Sequence, residues 1–178
     1  LHAPIPQDPQ YHSFADERTL LGIPRFWNVI SNVPFFFVGA AGMAWLFRNF
    51  GEPLYETLRW NYLGLFCGTM LVAFGSGYYH LAPDNHRLVW DRLPMTIGFT
   101  SLLCAILSER VDERLGLRLL VPLLLCGLGS VYYWDYTESL GRGDLRPYLL
   151  VQFLPLLLVP LLLGLYPAKF TRGYDVFI

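Results

Sequence analysis

The sequence has little charge. Asp, Glu, Lys and Arg make up 15% of its 178 residues, and the formal net charge is -1. No cluster of basic residues occurs, which excludes nucleic acid as a partner, because phosphate binding depends on grouped Lys and Arg. Cysteine is scarce as well. Cys67, Cys104 and Cys126 all fall inside apolar runs without CxxC spacing, so they read as small core residues and not as a disulfide framework. Histidine occurs only as His2, His12, His80 and His86, with no HxxxH pair. The first 25 residues have neither the charged start nor the apolar core of a signal peptide, and the opening at Leu1 leads us to expect a trimmed end. There is no internal repeat.

Apolar residues are abundant: 54% are hydrophobic and 16% aromatic, the balance of an integral membrane protein. Residues 1–25 are polar and interrupted by Pro4, Pro6, Pro9 and Pro24, so they form an extramembrane arm. Its Phe14 to Arg18 run could be an anchored turn, with Asp16 and Glu17 free for a cation, paired with Arg18, or simply solvated. Residues 26–178 form a transmembrane helical domain. Five apolar runs are expected to span: Phe26 to Phe47, Leu58 to His80, Leu88 to Leu107, Leu117 to Trp134, and Pro147 to Tyr166. Each has about twenty residues, enough to cross about 30 Å of hydrocarbon. They are too long and too uniformly apolar for strands, so the fold class is an all-α polytopic bundle of five helices.

Within the first run, Asn28, Ser31 and Asn32 precede the small residues Gly39, Ala40, Gly42 and Ala44, a pattern for close helix packing. In the second, Thr69, Ala73, Ser76, Gly77 and His80 form a small, polar stripe facing the bundle interior. Ser108 to Arg114 is too charged for hydrocarbon and is expected to be a surface loop. Pro122, Pro155 and Pro160 should kink their helices, and Gln152 should bond a neighbouring one. Arg48, Arg59, Arg110, Arg114, Arg118, Lys169 and Arg172 fall on one side against Arg18, Arg25, Arg87, Arg92, Arg142 and Arg146 on the other. This small excess favours an N-terminus on the outer side.

The stretch Phe74 to Met95, FGSGYYHLAPDNHRLVWDRLPM, holds the chemistry. Ser76 and His80 stand at i and i+4 on one helical face, and a short turn brings Asp91 of the next run back to the same depth. One reading is a set of interfacial residues that cap helices and meet water. The other is a catalytic group, since a serine, an imidazole and a carboxylate are costly to desolvate at the mouth of a hydrophobic bundle.

GSGYYH, VWDRLPM and the upstream FWNVISN together resemble the alkaline ceramidase family, within a superfamily of seven-helix hydrolases that includes adiponectin-receptor-like proteins. The resemblance runs from about Tyr11 to the end of the chain. It implies a zinc ion held by one histidine at the end of helix two and by an HxxxH pair in helix seven. Carried to this chain, His80 is the helix-two ligand, Ser76 the nearby serine, and Asp91 the carboxylate that orients or deprotonates the zinc-bound water. The implied reaction is hydrolysis of a membrane lipid amide. With no HxxxH here, the resemblance implies that the other ligands come from two further C-terminal helices or a partner membrane chain beside Ser76 and His80. Some members also bind calcium through acids of the arm and the first helix. Arg25 precedes Phe26 where such an acid would serve, leaving Asp16 and Glu17 as the calcium candidates. The competing reading is a non-catalytic membrane subunit that keeps the scaffold within a larger complex.

Overall fold

The computed structural model describes residues 3–51, 56 and 58–169. In hydrocarbon every backbone amide needs a partner within the protein, and apolar runs of this length meet that need as helices. Among the described residues, extended pairing is limited to one isolated bridge between Leu20 and Ile23. The helices are α1 (Phe26–Ile30), α2 (Val33–Arg48), α3 (Arg59–Leu81), α4 (Asn85–Arg110), α5 (Glu113–Ser139) and α6 (Arg146–Leu165). α1 and α2 form one span interrupted at Ser31 and Asn32, so five membrane-length helices stand among the described residues.

Three of these spans, Phe26–Arg48, α5 and α6, are apolar enough to cross a membrane by composition alone. α3 and α4, with 23 and 26 residues, are as long but carry polar side chains along their length. Enclosure explains why that is tolerated. α4 packs against α3, α5 and α6, and so buries Thr96, Thr100, Ser101 and Ser108 away from lipid. Two of these hydroxyls bond within the helix: Thr96 to the Leu93 carbonyl at 2.8 Å and Thr100 to the Thr96 carbonyl at 2.6 Å. α2 packs on α3, where Gly39 abuts Met70 and Gly42 abuts Phe66 too closely for any side chain. The small residues of the first span thus serve as the sequence predicts.

Two expectations need correction. Ser108 to Arg114 is not a surface loop: α4 continues through Arg110, only Val111 and Asp112 turn the chain, and α5 begins at Glu113. Asp112 makes so tight a turn possible by capping α5, its carboxylate accepting from the amides of Arg114 at 3.0 Å and Leu115 at 2.9 Å. Ser108, Glu109 and Arg110 are buried there, and Arg110 donates to the Tyr166 carbonyl at 2.9 Å. In the arm, the helical turn is Pro9–His12, capped by the Asp8 side chain, whereas Phe14 to Arg18 is non-helical and anchored by its side chains.

Candidate functional site

α3 ends at Leu81 and α4 starts at Asn85, so a very short connection reverses the chain. Asp84 fixes the start of α4: its carboxylate accepts from the Arg87 amide at 2.7 Å and pairs with the Arg87 guanidinium at 2.8 Å. Pro94, inside α4, has no N–H to give the Trp90 carbonyl one turn back. α3 meets that region with Gly75, where a side chain would collide with the Trp90 carbonyl and the Pro94 ring. Ser76 follows Gly75 and Asp91 follows Trp90, so this close crossing brings the two polar residues together. Ser76 faces the Asp91 carboxylate, and both residues are buried.

α2 packs on α3 but makes no extensive contact with α4. The space left between α2 and α4, floored by α3, is a cavity of about 440 Å³. Its walls divide by chemistry. Asn32, Ser76 and Asp91 mark a polar end, and Val72, Met95, Phe99, Leu65 and Leu102 make the rest apolar. The Thr69 hydroxyl in the wall is already engaged with the Leu65 carbonyl at 2.8 Å. From Asp91 to Leu102 the cavity follows α4 for about 16 Å at 1.5 Å per residue. A lone buried carboxylate costs several kcal/mol, while one hydrogen bond to it returns about 1.5–3 kcal/mol. A buried carboxylate in an apolar wall is thus costly to the fold, which makes Asp91 a candidate for chemistry.

His80 occupies the next turn of the same face of α3, toward the arm, and is not among the residues lining this cavity. The expected convergence is therefore direct for Ser76 and Asp91 and offset for His80. Phe14 of the arm packs edge-on against the imidazole at 4.6 Å between ring centroids. Its Nδ1 is buried without a hydrogen-bond partner. An imidazole nitrogen in that state is a ready donor for a metal.

Sequence reasoning missed the arm's role. The arm closes the bundle end above the site by many separate ties. His12 lies between the Tyr79 hydroxyl and Asn85 Oδ1, each at 2.9 Å; the amide oxygen can only accept, so Nε2 donates to it and Tyr79 donates to Nδ1. Gln7 accepts from Arg92 at 2.6 Å through its side chain and donates to Glu138 at 2.5 Å through its backbone. Arg92 is only 4% exposed, with its guanidinium over the rings of Trp134 at 4.1 Å and Tyr148 at 4.6 Å. Desolvated cation–π contacts of this kind contribute about 2 kcal/mol each. The one clue in the sequence was an arginine well inside an apolar run, next to Asp91.

Among the described residues, no three His, Cys, Asp or Glu side chains are grouped to hold a metal. His80 fits one zinc ligand, His12 is committed to Tyr79 and Asn85, and His2 lies outside the described residues. Asp16 does not fit calcium: one oxygen is bound by Arg18 at 2.6 Å and the other accepts from the Trp27 amide at 3.0 Å, at the start of α1. The Arg18 hydrogen bond, foremost, holds this carboxyl below the usual aspartate range. Glu17 is exposed.

A model of one protein family, described as Ceramidase, matches residues 22–140, which include α1 to α4 and the whole of α5. No curated protein and no solved structure matches the chain.

Proposed function

The chain belongs to the ceramidase family, and from that premise we propose that it hydrolyses the amide of a ceramide-like lipid within the membrane, at the polar end of the α2–α3–α4 groove. The observation that carries this reading is the meeting of Ser76 and Asp91, both buried, at the head of an otherwise apolar cavity. An N-acyl lipid has the same two-part character, a polar amide on a hydrocarbon chain. With the chain along Val72, Met95 and Phe99, the amide carbonyl would reach Ser76 and Asp91.

In this reading Asp91 orients a water and takes its proton as the oxygen bonds to the carbonyl carbon. The same proton passes to the amine as the C–N bond breaks, leaving a fatty acid and a free sphingoid-type amine. Ser76 holds the carboxylate toward the groove. His80 would be one zinc ligand, and the rest would come from further helices or a partner membrane chain beside Ser76 and His80. Zinc, when bound, supplies Lewis acidity, which polarises a carbonyl and lowers the pKa of water. The count of basic residues favours the outer side for the arm and the site beneath it.

Metal content and amide hydrolysis of the full-length gene product in nanodiscs test this reading. We expect stoichiometric zinc, lost in His80→Ala, and an Asp91→Asn protein that keeps its zinc but hydrolyses the lipid about 10²–10⁴-fold more slowly. Metal-free protein that purifies with membrane partners and is unaffected by either substitution would make it a non-catalytic subunit instead.

A further inference from the structure

Gly98 is the one glycine among the residues lining the groove. It stands in the middle of α4, where glycine is less favourable than alanine by about 0.5–1 kcal/mol. Packing does not explain it. α3 comes close at this level through Gly68, whose added Cβ would lie 2.7 Å from the Gly98 amide nitrogen and 3.0 Å from its Cα. That contact requires a glycine at 68. A Cβ added at Gly98 itself meets nothing within 4 Å. The position adjoins open space, and the open space it adjoins is the cavity.

We propose that Gly98 sets how long an acyl chain the groove admits, by leaving its deep half unobstructed; this rests on the hydrolase reading above. The occupant is a single acyl chain, because the cavity has one polar end, apolar walls, and a length matching an extended chain. An extended backbone advances about 1.2 Å per bond, so the full groove takes about thirteen chain bonds and the part above Gly98 about eight. Leu65 and Leu102 bound the far part. A leucine at 98 would fill the passage between them and the polar end.

The test uses the full-length protein in nanodiscs, as wild type, Gly98→Ala and Gly98→Leu, each checked for an unchanged melting transition. Two readouts run in parallel. One is hydrolysis of N-acyl sphingoid lipids with chains of about eight and about fourteen carbons. The other is binding of free fatty acids of the same lengths, followed by displacement of a fluorescent polyene fatty acid. The ratio of long-chain to short-chain signal should fall at least about tenfold in Gly98→Leu and change little in Gly98→Ala, a difference of about 1.4 kcal/mol. Should Gly98→Leu fail to fold, Leu102→Ala provides the opposite test, raising the ratio for longer chains. If no variant hydrolyses any lipid but fatty-acid binding shifts with length as stated, the hydrolase reading falls and the groove assignment stands. Hydrolysis with the same chain-length profile in wild type and Gly98→Leu would overturn the assignment while leaving the hydrolase reading intact.

Discussion

Replacing Gly75 with alanine should disable the site while leaving most of the bundle folded. The new Cβ would lie 2.9 Å from the Trp90 carbonyl carbon and 3.2 Å from Pro94 Cγ, and closer still to the Trp90 oxygen. Ordinary contact begins near 3.4 Å, so α3 and α4 must part by at least 0.5 Å at the carbon, and by more at the oxygen. Neither obstacle can swing away, since one is backbone and the other a proline ring. Overpacking of this kind costs about 1–3 kcal/mol, and the better helix propensity of alanine returns about 0.5–1 kcal/mol. The net loss of stability is therefore modest, about 0–2.5 kcal/mol. Ser76 and Asp91 are the next residues on each side of the crossing, however, and a displacement of about 1 Å at reacting groups can lower a rate about 10²-fold. Gly77→Ala is the control, because a Cβ there meets nothing within 4 Å; it should be neutral or slightly stabilising. The assay is lipid-amide turnover in nanodiscs together with the thermal unfolding midpoint. Full turnover in Gly75→Ala, or equal losses in Gly75→Ala and Gly77→Ala, would refute the claim that this crossing positions the site.

Two other outcomes follow from the arm end. Trp134→Ala removes a fully buried indole, its cation–π contact with Arg92 and its bond to Glu138, and should destabilise by about 3–5 kcal/mol; Tyr136→Ala, at a position 64% exposed, should change the unfolding midpoint little. The Asp144 carboxyl is lowered from 3.8 to about 2, chiefly by its hydrogen bond to Arg146. A depressed folded-state value means that its contribution is fully present above 3.8 and lost as pH falls toward about 2. Protection of the Leu145 amide, its exchange rate taken against the intrinsic rate at each pH, should fall across that window in wild type and show no such step in Asp144→Asn.

The five spans were legible because length and apolar content alone separate a membrane helix from a strand. The meeting of Ser76 with Asp91 was legible too, from the short Leu81 to Arg87 connection and from helical register. What failed to appear was whatever depends on distant partners. Gln7 meets Arg92 across 85 residues and Glu138 across 131, and no periodicity links such positions. The offset of His80 is local instead: it stands one turn beyond Ser76 on α3, outside the cavity lining, where Phe14 packs against it. Ser108 to Arg114 was misread because charge was taken to mean exposure, whereas Ser108, Glu109 and Arg110 are enclosed at the end of the bundle. A space beside Ser76 and His80 for a further helix, a lipid or a partner chain was expected from the sequence; that the groove lies between α2 and α4 was not, because a missing contact leaves no trace in a pattern of residues.

The arm has a consequence for biogenesis. It is synthesised before every helix that receives it, yet Gln7 needs Glu138 of α5, and the Ile5 carbonyl accepts from the Leu145 amide just before α6, at 2.8 Å. Docking must therefore wait until most of the bundle has left the ribosome and entered the bilayer. Until then Tyr79, Arg92 and Trp134 lack their cover, and that end of the nascent bundle stays open to water. Insertion intermediates should be susceptible to protease within residues 5–14, and that susceptibility should vanish only once α6 is in place.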